Sequence, residues 1–113
     1  MRKPVFWVIA AVFLGTALFE APHSAWAQDG QKIFESRCAA CHGEQGNGQG
    51  PLSKNFSPGP SNFTDPNFWQ GDVDKKIADA ITLGKKPMLP VKPALTPEEI
   101  KAVTEYMTKT FKK

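Results

Sequence analysis

Three residues with ligand chemistry lie close together in the chain, in the sequence Cys38-Ala39-Ala40-Cys41-His42. On one helical turn, two thiols three residues apart face the same side and can reach the two vinyl groups of a porphyrin, forming two thioethers. The adjacent imidazole is then placed to bind the iron. The spacing of Cys38, Cys41 and His42 therefore predicts covalent attachment of one haem.

Three other uses of these residues have less support from the sequence. A closed zinc site needs four protein ligands, and beyond this motif the chain offers only His23. A redox-active thiol pair of the thioredoxin kind belongs to an α/β domain, whereas no strand alternation is visible here. A disulfide between Cys38 and Cys41 would close a very small loop and remove little entropy from the unfolded chain.

The start of the chain has the pattern of a secretory leader. A basic Met1-Arg2-Lys3 precedes an apolar run from Val5 to Phe19, and Ala25-Trp26-Ala27 fits the small-x-small cleavage site. The apolar run is shorter than the roughly 20 residues of a spanning helix, although a retained membrane anchor is the alternative. We expect residues 1–27 to be cleaved and residues 28–113 to form one domain in the periplasm.

The size and charge of the remaining domain limit what it can be. Its 86 residues are too few for two domains, and a chain this short usually needs a staple such as a metal or a large cofactor. Loss of Arg2, Lys3 and Glu20 leaves 12 basic and 10 acidic residues, a formal net charge of +2. With so small a charge and no basic tract interleaved with aromatics, nucleic-acid binding is not expected.

The domain is predicted to be all-α, with three main helices and long loops wrapped around the haem. Helical spacing and end signals place these helices at Asp29 to Cys41, Val73 to Leu83, and from Thr96-Pro97-Glu98-Glu99 onwards. Asp29 and Asp72 are candidate N-caps, and Gly84 is a candidate C-terminal stop. The long segment from Gly43 to Gly71 has no periodicity, so we expect it to cover a ligand with its aromatic residues, Phe56, Phe63, Phe68 and Trp69.

An iron bound by His42 needs a second axial ligand, and His23 leaves with the leader. Met88 and Met107 are the methionines of the remaining chain. Met107 continues the apolar stripe of the last helix, which favours a packed core residue. Met88 lies in a loop between Pro87 and Pro90, which restrict the backbone around it. We predict Met88 as the ligand; the alternative is an open position, as in a haem enzyme or a gas sensor.

The order of these motifs resembles that of class I c-type cytochromes of the small bacterial kind. The resemblance is carried by Cys38-x-x-Cys41-His42, then Gly43-Glu44-Gln45-Gly46-Asn47-Gly48, then Gly84-x-x-x-Met88-x-Pro90 before a C-terminal helix. It covers nearly all of residues 28–113. It implies a haem c bound through both cysteines, a His/Met-ligated iron, and one-electron transfer without catalysis.

The same resemblance implies roles for two further features. In that family the first and last helices cross at a glycine and an aromatic, which Gly30, Phe34 and Tyr106 resemble. A proline carbonyl accepts the ring N–H of the haem-ligating histidine, and Pro51 is the matching residue. The stretch from Pro51 to Gly71 departs from the family pattern, and there the sequence itself offers Trp69, Asn62 and Lys54 as candidate contacts of the haem propionates; apolar cover is the alternative for Trp69.

Two lysines precede the predicted methionine ligand and indicate how a partner is met. Lys85 and Lys86 are expected near the haem edge, where they could form a basic collar that steers an acidic redox partner. Two solvated loop lysines are the alternative. The sequence thus predicts a monomeric electron carrier that diffuses between a donor and an acceptor, with a permanently docked subunit of a larger oxidoreductase as the alternative.

Overall fold

The computed structural model describes residues 23–113, with side chains from residue 29, together with the isolated positions 2, 4 and 15. Most of the predicted leader, including the apolar run, lies outside the described residues, so its cleavage stays a prediction. Between residues 23 and 113, no helix has both the length and the apolar character needed to cross a bilayer. This part of the chain is helical and contains no β-strand, which confirms the all-α class.

Four α-helices and two short 3-10 turns make up the described fold. The α-helices are α1 (His23–Arg37), α2 (Ala39–His42), α3 (Val73–Leu83) and α4 (Pro97–Phe111), and the 3-10 turns are Ser53–Asn55 and Pro66–Trp69. The two turns lie in the long Gly43–Gly71 segment, which otherwise has no regular structure. The three predicted helices are therefore present, with the first one divided at Cys38.

The first helix begins earlier than predicted. Asp29, the proposed N-cap, lies inside α1, because the chain ahead of it continues in helical conformation from His23. That stretch includes Ala25 and Ala27, and alanine has the highest helix propensity. A carboxylate within a helix meets N–H groups that are already bonded, so Asp29 has no capping role when these residues are present.

Both ends of α3 and the start of α4 are those that the sequence predicts. The Asp72 side chain accepts a hydrogen bond from the Lys75 N–H, and Gly84 ends α3 with a φ of 77°, which favours glycine. At α4, Thr96 and Glu99 form a reciprocal capping box, with the Thr96 hydroxyl accepting from the Glu99 N–H at 3.1 Å. These local signals determine both ends of α3 and the first residue of α4.

Helices α1 and α4 cross at a glycine. A Cβ added at Gly30 would lie 2.2 Å from the Ala102 carbonyl oxygen and 3.0 Å from the Tyr106 Cβ, so only glycine allows this approach. Next to the crossing, the fully buried Phe34 ring lies 5.7 Å from Tyr106 and 5.1 Å from Phe111, centroid to centroid. The predicted crossing is confirmed, and it holds the helix that leads into the cysteines.

One hydrophobic core joins the helices to the long loop. Its buried members come from α1, α2, α3, α4 and the loop, and they are Phe34, Ala39, Phe63, Ile77, Ile81, Val103, Met107 and Phe111. Because Phe63 belongs to this core, the Gly43–Gly71 segment is packed into the molecule although it lacks helical periodicity. The loop is therefore anchored to the helices through Phe63.

Candidate functional site

The two cysteines lie where α1 passes into α2. The Cys38 N–H donates to the Phe34 carbonyl at 2.9 Å and the His42 N–H donates to the Cys38 carbonyl at 2.9 Å, so helical bonding continues through the division. Cys38 and Cys41 are one turn apart, both line the same cavity, and their thiols form no disulfide. This is the placement that two thioether bonds to one macrocycle require.

Burial raises the pKa of the Cys38 thiol to about 11, against the opposing effect of the Arg37 charge, which lowers it. The unattached thiol is therefore protonated at neutral pH. Cysteines that act as nucleophiles or in thiol exchange have depressed pKa values, because the thiolate is the reactive form. The environment of Cys38 thus argues against the redox-active thiol pair considered from the sequence.

The His42 imidazole is held on two sides. Its Nδ1 lies 3.1 Å from the Ser61 carbonyl oxygen, and a carbonyl can only accept, so Nδ1 carries the proton. The Phe63 ring stacks on the imidazole with a centroid separation of 4.6 Å and an interplanar angle of 21°. This arrangement leaves Nε2 unprotonated, with its lone pair available for a metal ion.

The environment of His42 also keeps the ring neutral. Burial lowers the pKa of the imidazole, while the bond to the Ser61 carbonyl acts in the opposite direction. A neutral imidazole is the form that binds iron, and a hydrogen bond from Nδ1 to a carbonyl orients the ring and raises its basicity. The surroundings of His42 therefore give the imidazole the protonation state and the orientation of an axial ligand.

The prediction that the Pro51 carbonyl accepts the His42 N–H is wrong, because Ser61 takes that role. The segment containing Pro51 closes the carboxyl end of α2: the Gly50 N–H donates to the Cys41 carbonyl and the Leu52 N–H to the Ala40 carbonyl. This places Pro51 at the end of the helix, and it does not line the cavity that contains the imidazole.

Residues 61–63 are themselves held from two directions. The Phe63 N–H donates to the Gly46 carbonyl at 2.7 Å, and the Trp69 indole N–H donates to the Phe63 carbonyl at 2.8 Å. A Cβ at Gly46 would lie 2.9 Å from the Phe111 ring, so this turn packs directly on α4. The glycine-rich run after the cysteines thus supports the segment that orients His42.

Met88 lines the same cavity as the cysteines and His42. It is half-buried, and its backbone pairs with that of Lys85 through two hydrogen bonds of 2.8 and 3.0 Å. The Val91 N–H donates to the Ile81 carbonyl at 2.9 Å, which ties the far side of the loop to α3. The loop therefore presents Met88 on a braced backbone, as the flanking prolines predict.

Met107 is packed into the core, with 3% of its surface exposed, and its side chain also reaches the cavity wall. Its position on the buried face of α4 agrees with the packing role predicted for it. Its contacts with the core leave it less free than Met88 to move toward a ligand in the cavity.

The cavity itself fits a large flat cofactor. Its volume is about 590 Å³, within the usual range of cofactor sites. Much of its wall is apolar, from Phe56, Pro58, Pro60, Phe63, Phe68, Ile77, Ala80, Ile81, Leu89, Pro90 and Val91, together with the two methionines. The thiols and imidazole of the attachment motif open onto this apolar space. The donor set and the cavity together fit a haem.

The charges around the cavity are of one sign. Among the described residues, the lining includes five cations, which are Arg37, Lys76, Lys85, Lys86 and Lys92, and no carboxylate. The acidic residues of the described chain lie elsewhere, although the formal net charge of residues 28–113 is only +2. The molecule therefore has a basic face at the cavity, which the sequence indicates only in part through Lys85 and Lys86.

The propionate contacts suggested by the sequence lie away from the cavity wall. Trp69 gives its indole N–H to the Phe63 carbonyl, and the Asn62 amide oxygen accepts bonds from the Thr64 N–H and hydroxyl. Lys54 is exposed on the first 3-10 turn. None of Trp69, Asn62 and Lys54 lines the cavity.

Comparison with known proteins gives the same assignment. Residues 27–111 match the family model described as Cytochrome c. The chain is 38% identical over 82 residues to the Cbb3-type cytochrome c oxidase subunit FixP of Azorhizobium caulinodans, covering 72% of this chain and 26% of that one. It is 34% identical over 94 residues to the subunit CcoP of Rubrivivax gelatinosus, covering 76% of this chain and 28% of that one.

The chain thus spans about a quarter of the length of these curated relatives. Among solved structures, the KustC0563 c-type cytochrome superposes with a TM-score of 0.63 and 35% identity, covering 75% of this chain and 99% of that one. With its paired thiols, prepared imidazole and apolar cavity, the chain belongs to the cytochrome c family and carries haem c on Cys38 and Cys41.

Proposed function

We propose that residues 28–113 form a periplasmic one-electron carrier in which His42 and Met88 are the axial ligands of the haem iron. One observation carries this proposal: a neutral imidazole with a free Nε2 and a braced methionine thioether line the same cavity. Two protein ligands fill both axial positions, which discourages reactions of the iron with O₂ or peroxide. We therefore infer a carrier and not an enzyme.

Each of these residues has a distinct part in the proposed activity. The bound haem supplies a one-electron couple, whose reduction potential a thioether ligand raises. Cys38 and Cys41 hold the group covalently, and Ser61 and Phe63 keep the imidazole in one orientation. The apolar wall would shield a bound haem from water and so limit the solvent reorganisation that accompanies electron transfer.

The proposed location follows from the leader and from haem chemistry. Cleavage after Ala27 would leave α1 beginning near Gln28, close to the helix start predicted from the sequence. Thioether attachment to a Cys-x-x-Cys-His motif in an exported chain is consistent with a periplasmic domain. The curated relatives carry names that call them oxidase subunits, so a permanently docked subunit is the second candidate.

Carbon monoxide tests the carrier against an open iron. We expect the purified protein to show a low-spin haem with a thioether-to-iron signature in both visible absorption and NMR. The reduced protein should not change its spectrum under carbon monoxide, because no axial position is free. Ready binding of the gas would contradict the carrier and favour the enzyme or sensor, and co-purification with a large oxidoreductase would favour the docked subunit.

The basic face predicts the charge of the redox partner. Lys85 and Lys86 are exposed beside the cavity mouth, with Leu89 exposed between them and Lys92. Charges near a transfer site act mainly on the encounter rate. Reversing both in K85E/K86E should slow electron transfer to an acidic partner about tenfold at low ionic strength, and the difference should shrink as salt screens it.

A matched control is available at the chain end. Lys112 and Lys113 are also adjacent and exposed, but neither lines the cavity. K112E/K113E makes the same change in net charge outside the lining of the cavity. Stopped-flow transfer rates as a function of salt distinguish the two variants: equal rates would mean that net charge, and not the basic face, governs the encounter.

A further inference from the structure

Lys76 occupies a different environment from its neighbour Lys75. Lys75 points outward with 69% of its side chain exposed and forms a salt bridge with Asp79. Lys76 is half-buried and lines the haem cavity. Its Nζ lies 4.3 Å from the centroid of the Phe68 ring and donates to the Phe68 carbonyl. Two adjacent lysines on one helix thus face solvent and cofactor respectively.

In the part of the chain that the structure describes, the charge of Lys76 has no carboxylate partner. Among the residues whose side chains are described, the one salt bridge is that of Lys75 with Asp79. A carbonyl oxygen and a ring face stabilise an ammonium group in part, but a partly buried charge is most stable beside an opposite charge. No described residue of the cavity wall is acidic, so a counterion for Lys76 on this wall would be supplied by what the cavity binds.

The bound haem brings two such counterions, because its periphery carries two propionate carboxylates. The other cations of the wall are less suited to meet them. The Arg37 guanidinium donates to the Pro93 carbonyl, and Lys85, Lys86 and Lys92 are exposed on the loop that follows α3. Lys76 combines partial burial, a position on the wall and a side chain already held by Phe68.

We propose that Lys76 forms an ion pair with a propionate of the haem, and that Phe68 positions its ammonium group for this contact. Phe68 is held in turn, because its ring lies 4.8 Å from Phe63 and 5.1 Å from Trp69, centroid to centroid. The proposal rests on haem attachment through Cys38 and Cys41. It does not depend on which residue is the second axial ligand.

The ion pair has consequences of known sign for the reduction potential. A cation beside the haem disfavours the oxidised state, so its removal lowers the midpoint potential. It also favours the ionised propionate, so its removal raises the propionate pKa. The potential falls as the propionate ionises, and the pH of that inflection rises when the cation is lost. The remaining titratable or charged groups of the wall are His42, Arg37, Lys85, Lys86 and Lys92.

The test measures the midpoint potential of the holoprotein against pH for K76M, K76R and the matched control K75M. Above the inflection, K76M should change the oxidised-to-reduced ratio about fivefold at fixed potential, which is about 40 mV. Its inflection should move to higher pH. K76R keeps the charge and should resemble the parent protein, and K75M, which removes an exposed charge of the same sign, should do the same.

Two results would overturn the proposal. The first is a midpoint change in K76M no larger than in K75M. The second is a changed midpoint with an unmoved inflection, since Lys76 would then act as a background charge without pairing with a propionate.

Haem content and the visible spectrum verify that each variant is folded, and K76Q, which keeps a polar end, replaces K76M if the latter does not fold. Neither result bears on carbon monoxide binding, so failure here is distinct from failure of the proposed function.

Discussion

Replacing Met88 by Ala should lower the midpoint potential by on the order of 0.2 V, within the roughly 0.8 V range over which axial ligands set haem potentials. The thioether favours the reduced iron, and alanine offers no ligand in its place. The backbone of the loop is held by the paired bonds between Lys85 and Met88, which do not involve the side chain. The variant should therefore keep its fold while its iron becomes accessible to carbon monoxide.

The control for this substitution is Met107→Leu. Met107 also lines the cavity but is 3% exposed and packed in the core, so leucine conserves most of its volume. We expect M107L to keep the thioether signature and the parent potential. If M88A retained the signature and M107L lost it, the assignment of the ligand would be reversed.

The helix ends illustrate what local sequence determines. Asp72, Gly84, Thr96 and Glu99 each act through hydrogen bonds or backbone angles within a few residues of themselves. Such interactions are encoded by neighbouring residues, and the sequence predicts α3 and α4 correctly. The Gly30 crossing joins residues far apart in the chain, and it was predicted through the family resemblance. The structure shows its physical basis, because a Cβ at Gly30 would clash with the Ala102 carbonyl.

The partner of His42 was not predictable in the same way. Every residue offers a carbonyl oxygen, so residue type does not distinguish Ser61 from Pro51 as the acceptor. The choice depends on the path of the loop: residues 50–52 close the end of α2, and Phe63 is held by Gly46 and Trp69. Phe63 was expected to cover a ligand, but its stacking on the imidazole follows from this tertiary arrangement.

The basic face at the cavity also could not be predicted from local sequence. Arg37, Lys76 and Lys92 come from α1, α3 and the following loop, and nothing in their local sequence indicates that they share one cavity. Lys75 and Lys76 are adjacent and identical in type, yet they have different environments because α3 turns by about 100° per residue. Helical periodicity places Lys75 and Lys76 on different faces of α3. It does not indicate which of these faces lines the haem cavity.

Substitution of Phe63 is expected to have the second large effect, because this residue belongs to the hydrophobic core and also contacts His42. It is 6% exposed, and its ring contacts His42, Phe68, Phe34 and Phe111. Replacement by Ala should reduce the free energy of unfolding by about 3–5 kcal/mol, the usual cost of removing a buried phenylalanine. Denaturant unfolding of the oxidised holoprotein, followed by visible absorption and by circular dichroism, measures this loss.

Phe34→Ala is the matched control for that loss. Phe34 is fully buried and lies 6.2 Å from Phe63, centroid to centroid, but it is Phe63 whose ring stacks on the imidazole. We expect F34A to lose similar stability while the electronic signature of the haem stays close to that of the parent protein. The difference between the two variants then reports on the contact with His42.

A conservative variant separates packing from orientation of the ligand. Phe63→Leu keeps an apolar side chain in the core but removes the stacked ring, so the imidazole has only the Ser61 carbonyl to set its plane. The g-values of the oxidised iron and the NMR shifts of the haem methyl groups respond to that plane, and we expect both to change in F63L. If F63L and F34L gave the parent spectra alike, Phe63 would be a core residue that happens to lie beside the site. A changed spectrum in F63L alone would instead mean that Phe63, the loop residue in the hydrophobic core, orients the iron ligand of this cytochrome.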